Sequence, residues 1–119
     1  MKRHIGLFIE DIIESIRLIE VYIRDTSKEN FGKDIKLRDS VTRRLEIIGE
    51  AVKNIPDKIR ENYPQIPWKM IAGLRDIIIH SYFDIDFEIT WDIIKKDIPD
   101  LKKNILKIKN DLNIDKSLK

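Results

Sequence analysis

The chain has 119 residues, of which 42% are hydrophobic and 37% are charged, and its formal net charge is only +2. This length fits a single domain with one core, residues 1–119, and is too short for two domains. Because acidic and basic residues nearly balance, no uniform positive field marks the chain as a nucleic-acid binder, so any RNA contact must be local. The absence of cysteine excludes a disulfide framework, a thiol nucleophile and a thiolate metal site, and it fits a reducing cytoplasm.

Near the N-terminus, apolar residues recur at steps of three and four, which predicts an amphipathic helix over residues 5–23. The repeating residues are Ile5, Phe8, Ile9, Ile12, Ile13, Ile16, Ile19 and Ile23. Glu10, Asp11 and Glu14 interrupt the apolar pattern, which argues against a signal peptide or a membrane span. We therefore expect a cytoplasmic protein with no membrane association.

The middle of the chain predicts one long helix followed by irregular structure. A polar link containing Gly32 leads to a second helix over residues 37–55, which Pro56 stops. Residues 54–57 are expected to begin a short helical turn. Two prolines frame an irregular stretch over residues 64–67.

Two neighbouring residues in the second helix suggest more than a monomer. A glycine such as Gly49 costs about 1 kcal/mol relative to alanine inside a helix, so close approach of another helix explains it better than helix propensity. Glu50 has two open interpretations. Either it enters the bundle paired with Arg43 or Arg75, or it faces solvent on an exposed stripe.

The C-terminal half predicts two further helices. The third helix begins at Trp68 and carries a polar cluster at its C-terminal end. Asp86 is the expected N-cap of a long last helix from Phe87, bent or interrupted at Pro99, and a Lys-rich tail follows from about residue 111. Together these elements predict an all-α fold, namely an antiparallel four-helix bundle with one or two extra short helices.

The polar cluster is Arg75-Asp76-Ile77-Ile78-Ile79-His80-Ser81-Tyr82, and it contains the only interior histidine. In a helix, Asp76 and His80 share a face one turn apart. Arg75 and Tyr82 share a neighbouring stripe two turns apart. Asp76 can accept a hydrogen bond from one ring nitrogen of His80 and leave the other nitrogen free, while Arg75 can hold a phosphate in its planar fork. This combination suits cleavage of a phosphodiester.

Each residue of the cluster also has a purely structural interpretation. A histidine near a helix end, such as His80, can stabilise the C-terminal dipole, and Tyr82 can be a half-buried aromatic with a hydrated hydroxyl. Asp76 can be a surface charge on the exposed side of its helix. Arg75 can simply pair with a nearby acid. The candidate partners are Asp76, Glu50 and Asp84.

Two patterns outside the cluster also allow a functional and a structural interpretation. Trp68 and Trp91 are expected to be core anchors more than platforms on which bases stack. The lysine run at residues 102–103 and 107–109 is typical of a solvated face, and it can also follow a phosphate backbone.

The cluster resembles the R-x4-6-H motif of HEPN domains, specifically the R-x4-H-x-Y form of HepT-type toxin ribonucleases, with Arg75, His80 and Tyr82 on its three fixed positions. The flanking sequence follows the order of that family, and the resemblance covers roughly residues 3–110. The segments that carry it are residues 44–51, 68–76, 84–86, 91–94 and 97–101. The resemblance implies the HEPN helical bundle, and a site in a cleft between two protomers of a homodimer.

For an RNA substrate, the residues indicate a metal-independent reaction without a cofactor. One interior histidine, no cysteine and no carboxylate cluster at ligand spacing disfavour a two-metal site. The RNA 2′-hydroxyl can attack the adjacent phosphorus when His80 removes its proton, because histidine ordinarily titrates near pH 6.5. Arg75 would stabilise the developing charge, and a second copy across a two-fold axis is an economical source of the acid that the leaving oxygen needs.

The resemblance also implies a protein partner. HepT-like toxins of type VII toxin-antitoxin systems are typically encoded beside an MNT-type nucleotidyltransferase antitoxin, which transfers AMP to the tyrosine of the motif, here Tyr82. An adenylate two residues from His80 would place bulk and negative charge where the RNA phosphate must lie. The contribution of Asp76 stays open, because this position commonly carries either Asn or Asp.

Two other function classes compete with the ribonuclease. HEPN domains also serve as non-catalytic modules that bind nucleotides or assist a neighbouring nucleotidyltransferase, in which case Arg75 and His80 would contact a ligand phosphate without cleaving it. A purely structural homodimer is the third class. The intact set of Arg, His and Tyr favours the nuclease, because a scaffold has no evident need for all three.

Overall fold

The computed structural model describes residues 4–83 and 87–112, with only the backbone described for residues 80–83. Within these ranges the chain forms helices joined by short links and contains no strand, so the all-α prediction is confirmed. None of the helices described there is long and apolar enough to cross a membrane.

The first helix, α1, spans Ile5–Ile23, as the apolar spacing predicts. His4 is its N-cap, and the Nδ1 atom of His4 accepts a hydrogen bond from the backbone N–H of Gly6 at 3.0 Å. The chain turns away at Asp25, whose φ of 61° lies in the left-handed region that commonly follows a helix. The fully buried face of α1 points into the bundle. It consists of Ile9, Ile12, Ile16 and Ile19.

The predicted polar link contains a short helix, α2, over Lys28–Lys33. Ser27 caps it, because its Oγ accepts a hydrogen bond from the backbone N–H of Asn30 at 3.1 Å. Phe31 is fully buried and packs on the half-buried Trp91 with ring centroids 5.2 Å apart. The sequence pattern misses this helix because six residues are too few to show a helical period, and one aromatic ring anchors them.

Helix α3 spans Ile35–Lys53, so it begins and ends two residues before the predicted bounds of 37 and 55. The short helix predicted after Pro56 is α4, over Asp57–Glu61. It holds the end of α3 in place, because the guanidinium of Arg60 donates a hydrogen bond to the carbonyl oxygen of Val52 at 2.7 Å.

The close helix approach expected at Gly49 is confirmed, and it occurs within one chain. Helix α5, over Trp68–Ala72, crosses α3 here, and a Cβ atom on Gly49 would lie only 3.1 Å from the carbonyl oxygen of Ile71. Trp68 itself is a buried core anchor, as expected, and its indole N–H donates to the carbonyl oxygen of Tyr63 at 3.1 Å. Because α5 accounts for Gly49, this glycine gives no indication of a second copy.

The single third helix of the prediction is two helices in the structure, since α5 and α6 (Leu74–Phe83) are separated at Gly73. The N–H of Gly73 closes α5 on the carbonyl oxygen of Lys69 at 3.1 Å, and its own carbonyl oxygen accepts from Asp76 at 3.1 Å. The break escapes the sequence pattern because apolar residues continue on both sides of it. The polar cluster therefore starts in the first turn of its own helix.

The last predicted helix is interrupted, as expected, close to Pro99. It consists of α7 over Phe87–Asp92, a π-helical segment over Ile93–Asp97, and α8 over Ile98–Asp111, which has Pro99 in its first turn. The predicted N-cap Asp86 lies outside the described residues, as do residues 113–119 of the Lys-rich tail.

Helix α8 packs on α1, and ion pairs join the two helices. The Nζ atom of Lys102 lies 2.9 Å from a carboxylate oxygen of Glu20, and that of Lys109 lies 2.9 Å from Glu10. These two lysines of the C-terminal run therefore form ion pairs with α1, and the exposed pair of Lys102 with Glu20 contributes little stability because water and salt screen it. Neither sequence-based expectation for the run, a solvated face or a phosphate track, anticipates these contacts.

Candidate active site

The predicted catalytic cluster lies on one continuous helix, α6. Arg75 and His80 are five residues apart, which separates their Cα atoms by about 7.5 Å along the helix axis. Asp76 and His80 are one turn apart, so the backbone places them on one face, as the sequence predicts. The side chains of His80 and Tyr82 fall outside the described part of the chain, so their contacts remain predictions.

Arg75 is exposed in the first turn of α6 and lines an open groove of about 450 Å³. Its guanidinium makes no hydrogen bond or ion pair with any residue that the structure describes. The structural interpretation in which Arg75 pairs with Asp76 or Glu50 is therefore wrong for these two partners, and the third candidate, Asp84, lies outside the described residues. An exposed guanidinium beside a cavity is available to an anionic ligand.

The wall opposite Arg75 is a stripe of α3. Its lining residues recur at steps of three and four along that helix, so they share one face. They are Arg43, Glu46, Ile47, Glu50 and Asn54. Phe8 and Asp11 of α1 complete the groove, together with Ala51 on α3. Helices distant in the sequence thus place three carboxylates and two guanidiniums around one cavity.

Glu50 faces solvent, so the interpretation in which it is buried in the bundle and paired with an arginine is wrong. Its side chain is 61% exposed, and one carboxylate oxygen lies 3.1 Å from the Nζ atom of Lys53, one turn along α3. An exposed pair of this kind contributes little stability, because water and salt screen it. Glu50 nevertheless lines the same groove as Arg75, which keeps it available as support for the site.

Two groove residues were not singled out as site residues from the sequence. Glu46 is half-buried and Arg43 is exposed, and neither forms a hydrogen bond or ion pair with another described residue. The signal was present, because Arg43, Glu46 and Glu50 follow helical spacing on one face. This spacing indicates a site only once α6 is known to pack beside that face of α3.

Asp76 also lies in the first turn of α6 and is exposed. An acidic side chain in the first turn of a helix is stabilised by the partial positive charge of the exposed N–H groups there. Asp76 therefore has a sufficient structural role as well as the predicted one of orienting His80.

If Tyr82 were not the acceptor of AMP, the other tyrosines of the chain, Tyr63 and Tyr22, would be the alternatives, and Tyr63 is held inside the fold. Its hydroxyl donates a hydrogen bond to Oδ2 of Asp111 at 2.6 Å, and the side chain is buried. This hydrogen bond, with burial and the nearby charge of Asp111, raises the pKa of Tyr63 to about 12. A buried hydroxyl that is already committed to a carboxylate is a poor nucleophile.

Metal-ligating residues do not gather in the described part of the chain. Across residues 4–83 and 87–112, excluding the side chains of 80–83, no three His, Cys, Asp or Glu side chains converge on a point where they could hold an ion.

Known proteins are similar to this chain over most of its length. The sequence model of the family described as Ribonuclease HepT-like matches residues 12–108. A gamma-glutamylcyclotransferase and putative RNase of Methanocaldococcus jannaschii is 47% identical over 119 residues, which cover 100% of this chain and 54% of that protein. The chain thus spans about half the length of this relative. No solved structure matches this chain.

Two further relatives match most of this chain and most of their own length. A probable ribonuclease HepT of Thermococcus cleftensis is 45% identical over 109 residues, which cover 92% of this chain and 99% of that protein. A putative RNase of Caldanaerobacter subterraneus is 43% identical over 101 residues, which cover 85% of this chain and 90% of that protein. The family match contains α6 and the α3 stripe that faces it, and so includes every predicted catalytic residue. The helical fold and these similarities agree, and the chain belongs to the HepT-like ribonuclease family.

Proposed function

We propose that this protein is a metal-independent ribonuclease, the toxin component of a type VII HEPN/MNT toxin-antitoxin system. The observation that carries the proposal is Arg75, which is exposed, has no partner among the described residues, and lies on the helix that also carries His80 and Tyr82. Membership of the HepT-like ribonuclease family supports the same chemistry. An arginine kept free beside a groove suits an anionic substrate better than it suits a scaffold.

In the proposed reaction RNA supplies its own nucleophile. His80 removes the proton of a 2′-hydroxyl, the 2′-oxygen bonds to the adjacent phosphorus, and the bond from phosphorus to the 5′-oxygen breaks. The products are a 2′,3′-cyclic phosphate and a 5′-hydroxyl, which takes up one proton. Arg75 stabilises the extra negative charge that develops on the phosphoryl oxygens. Asp76, one turn from His80, would hold the imidazole in the tautomer that leaves the reactive nitrogen free.

The proton for the leaving 5′-oxygen needs an acid that one subunit does not evidently supply, because one chain has a single interior histidine. A homodimer with the α6 helices facing each other across a two-fold axis would bring a second His80 to the same phosphate. Gly49 no longer supports this dimer, since α5 of the same chain explains it. The proposal of a dimer therefore rests on the need for a second acid and on the resemblance to HEPN ribonucleases.

We further propose that an MNT-type nucleotidyltransferase neutralises the protein by AMPylation of Tyr82. The Tyr82 hydroxyl would attack the α-phosphorus of ATP and release pyrophosphate, leaving AMP on the ring oxygen. The added bulk and negative charge would then occupy the space of the RNA phosphate. Burial of Tyr63 supports the choice of Tyr82 by removing one alternative acceptor.

The direct test of nuclease activity uses the purified protein and a labelled RNA in excess EDTA. We expect cleavage, and we expect His80→Ala to abolish it while the helical circular dichroism signal and the melting temperature stay those of the parent. Activity that disappears with EDTA and returns with Mg²⁺ would overturn the metal-independent mechanism.

The test of neutralisation incubates the protein with its cognate nucleotidyltransferase and ATP. We expect added AMP mass on the peptide that contains Tyr82, together with loss of RNA cleavage. Tyr82→Phe should still cut RNA and escape modification, because it keeps the ring and loses only the hydroxyl. Tyr22→Phe is the matched control and should be modified and silenced like the parent. Modification of Tyr82→Phe would mean that the acceptor lies elsewhere.

A further inference from the structure

The groove beside Arg75 contains more polar chemistry than the cleavage step uses. Arg75 lies next to the middle of the α3 stripe, because Leu74, its neighbour in the chain, has its Cβ atom 3.8 Å from where a Cβ on Gly49 would lie. Glu46 and Arg43 follow along α3, about 6 Å and 10 Å beyond Glu50 at 1.5 Å per residue. The groove therefore extends away from Arg75 by roughly the length of one nucleotide.

The charge of the groove disfavours a simple track for the RNA backbone. Three carboxylates and two guanidiniums line it, and although Lys53 pairs with Glu50, a chain of phosphates along its length would pass the carboxylate of Glu46, which no described cation neutralises. Arg43 lies about 10 Å before Glu50 along α3, whereas Arg75 lies beside the middle of the α3 stripe. The two guanidiniums are therefore separated along the groove, with Glu46 between them. This pattern suits an anionic group at each end and a neutral group between them.

The free polar atoms of Glu46 and Glu50 in this groove are hydrogen-bond acceptors. Glu46 has no hydrogen-bond or ion-pair partner in the described part of the chain. Glu50 contacts Lys53 through Oε1, which leaves its Oε2 atom for a ligand. Asn54 donates one amide N–H to the carbonyl oxygen of Glu50 at 2.9 Å, so its amide oxygen and its second amide N–H are available. A ligand that binds Glu46 and Glu50 must bring N–H donors.

The remaining lining of the groove is apolar and suits a flat ring. Phe8 and Ile47 are half-buried and Ala51 is buried, and all three line the cavity between α1 and α3. Aromatic and aliphatic side chains bind the face of a nucleobase with little dependence on its identity. The volume of about 450 Å³ lies within the ordinary range for small-ligand sites.

We propose that this groove is a base-specific subsite, which holds the guanine of a nucleotide next to the scissile phosphate. This inference rests on the proposed ribonuclease function. Glu46 and Glu50 accept hydrogen bonds from the guanine N1–H and N2–H₂ groups, the ring lies against Phe8 and Ile47, and Arg43 binds the neighbouring phosphate. Arg75 remains with the phosphate that is cut.

Guanine is the base whose edge fits acceptors best. Its Watson–Crick edge presents two adjacent donors, which match a carboxylate, whereas adenine and cytosine each present one amino donor beside a ring acceptor. Uracil presents one N–H between two carbonyl oxygens, and a carboxylate repels both. Two hydrogen bonds from a base edge to carboxylate oxygens discriminate between the right and the wrong base by about tenfold or more, so guanine should be preferred by at least that factor.

The experiment uses the full-length protein and uridine oligonucleotides that carry a single internal guanosine, adenosine or cytidine. We expect the wild type to cut beside guanosine about tenfold faster than beside adenosine in the matched oligonucleotide. Glu46→Gln should reduce this ratio toward one, because the amide group presents a donor where a second acceptor was. Glu61→Gln is the matched control, an exposed glutamate on α4 that does not line the groove, and it should keep the ratio.

A second measurement separates this inference from the nuclease proposal. Fluorescence anisotropy on His80→Ala reports binding of the same oligonucleotides without cleavage, and we expect about tenfold tighter binding of the guanosine oligonucleotide. Equal rates in the wild type, equal affinities in His80→Ala, or a ratio that survives in Glu46→Gln would each overturn the subsite. Guanosine-selective binding without any cleavage by the wild type would overturn the nuclease proposal and retain the subsite.

Discussion

Replacing Gly49 by alanine tests whether the contact between α3 and α5 sets the position of the candidate site. The new Cβ atom would lie 3.1 Å from the carbonyl oxygen of Ile71 and 3.6 Å from that of Ala72. Both obstacles are backbone atoms of a helix, which cannot move aside as the end of a flexible side chain can. Relief therefore requires α5 to shift by a few tenths of an ångström relative to α3.

The expected size of the effect follows from two opposing contributions to the free energy of unfolding. Alanine gains about 1 kcal/mol over glycine in helix propensity, while overpacking of this kind costs about 1 to 3 kcal/mol. We expect a net loss of about 1 kcal/mol, which for 119 residues lowers the melting temperature by about 4 °C. RNA cleavage should also fall, because Arg75 follows α5 directly in the chain and would move with it.

Gly73→Ala provides the matched control. Its added Cβ would lie 3.5 Å from the carbonyl oxygen of Lys69, which is an ordinary contact, and the backbone at Gly73 is not in the left-handed region. This variant should keep or slightly raise the melting temperature and stay active. Urea titration and thermal melting of both variants measure the comparison. A Gly49→Ala protein as stable as Gly73→Ala would refute the steric argument.

Three further predictions concern the site and the C-terminal contact. Arg75→Lys should lower RNA cleavage by about a hundredfold in a rate assay, because a point charge cannot reproduce the two parallel hydrogen bonds of guanidinium, whereas Arg17→Lys on the exposed face of α1 should keep the parent rate. Mixing inactive Arg75→Ala and His80→Ala subunits should restore cleavage if the residues act from different chains, and failure to restore it in verified mixed dimers would contradict a shared site. Tyr63→Phe should lose about 1 kcal/mol of stability at neutral pH in urea titrations, because it loses the hydrogen bond to Asp111. The pKa of Tyr63 is about 12 in the folded protein against an ordinary 10.0, so the parent should lose this advantage between pH 10 and 12, and a deficit that stays constant over this range would contradict the hydrogen bond.

Sequence patterns predict the long helices well and the breaks between them poorly. The bounds of α1 follow from an apolar repeat that continues without interruption for the whole helix. Helix α2 has only Phe31 as a buried anchor, so no period exists to detect. The break at Gly73 is hidden because a glycine inside an apolar stretch is compatible with either a continuous helix or a turn, and only tertiary packing decides between them.

The residues of the candidate site also divide into those that local spacing predicts and those that only tertiary packing brings together. Arg75, His80 and Tyr82 lie close together in the sequence, so their spacing alone predicts a common helix. Glu46 and Arg43 lie about thirty residues earlier, and nothing local connects them to that helix. Their proximity to Arg75 depends on the packing of α6 on α3, which is a tertiary contact.

The turn at Gly73 sets the direction of α6 and, with it, the position of Arg75 beside the groove. If α5 and α6 formed one straight helix, the residues of α6 would continue in the direction that the contact of Gly49 with Ile71 imposes on α5. The turn at Gly73 lets α6 take a direction of its own while its first turn stays against α3, since the carbonyl of Gly73 accepts the first hydrogen bonds of α6, from Asp76 and Ile77. Arg75 is thereby exposed beside the groove, five residues before His80. One alanine inserted after Gly73 would lengthen the first turn of α6 by one residue, so each later side chain of α6 would move by about 100° around its helix relative to α3. Such a variant should keep its helical content, lose RNA cleavage and lose guanosine-selective binding together, and retention of either property would show that α6 is oriented by contacts beyond this link.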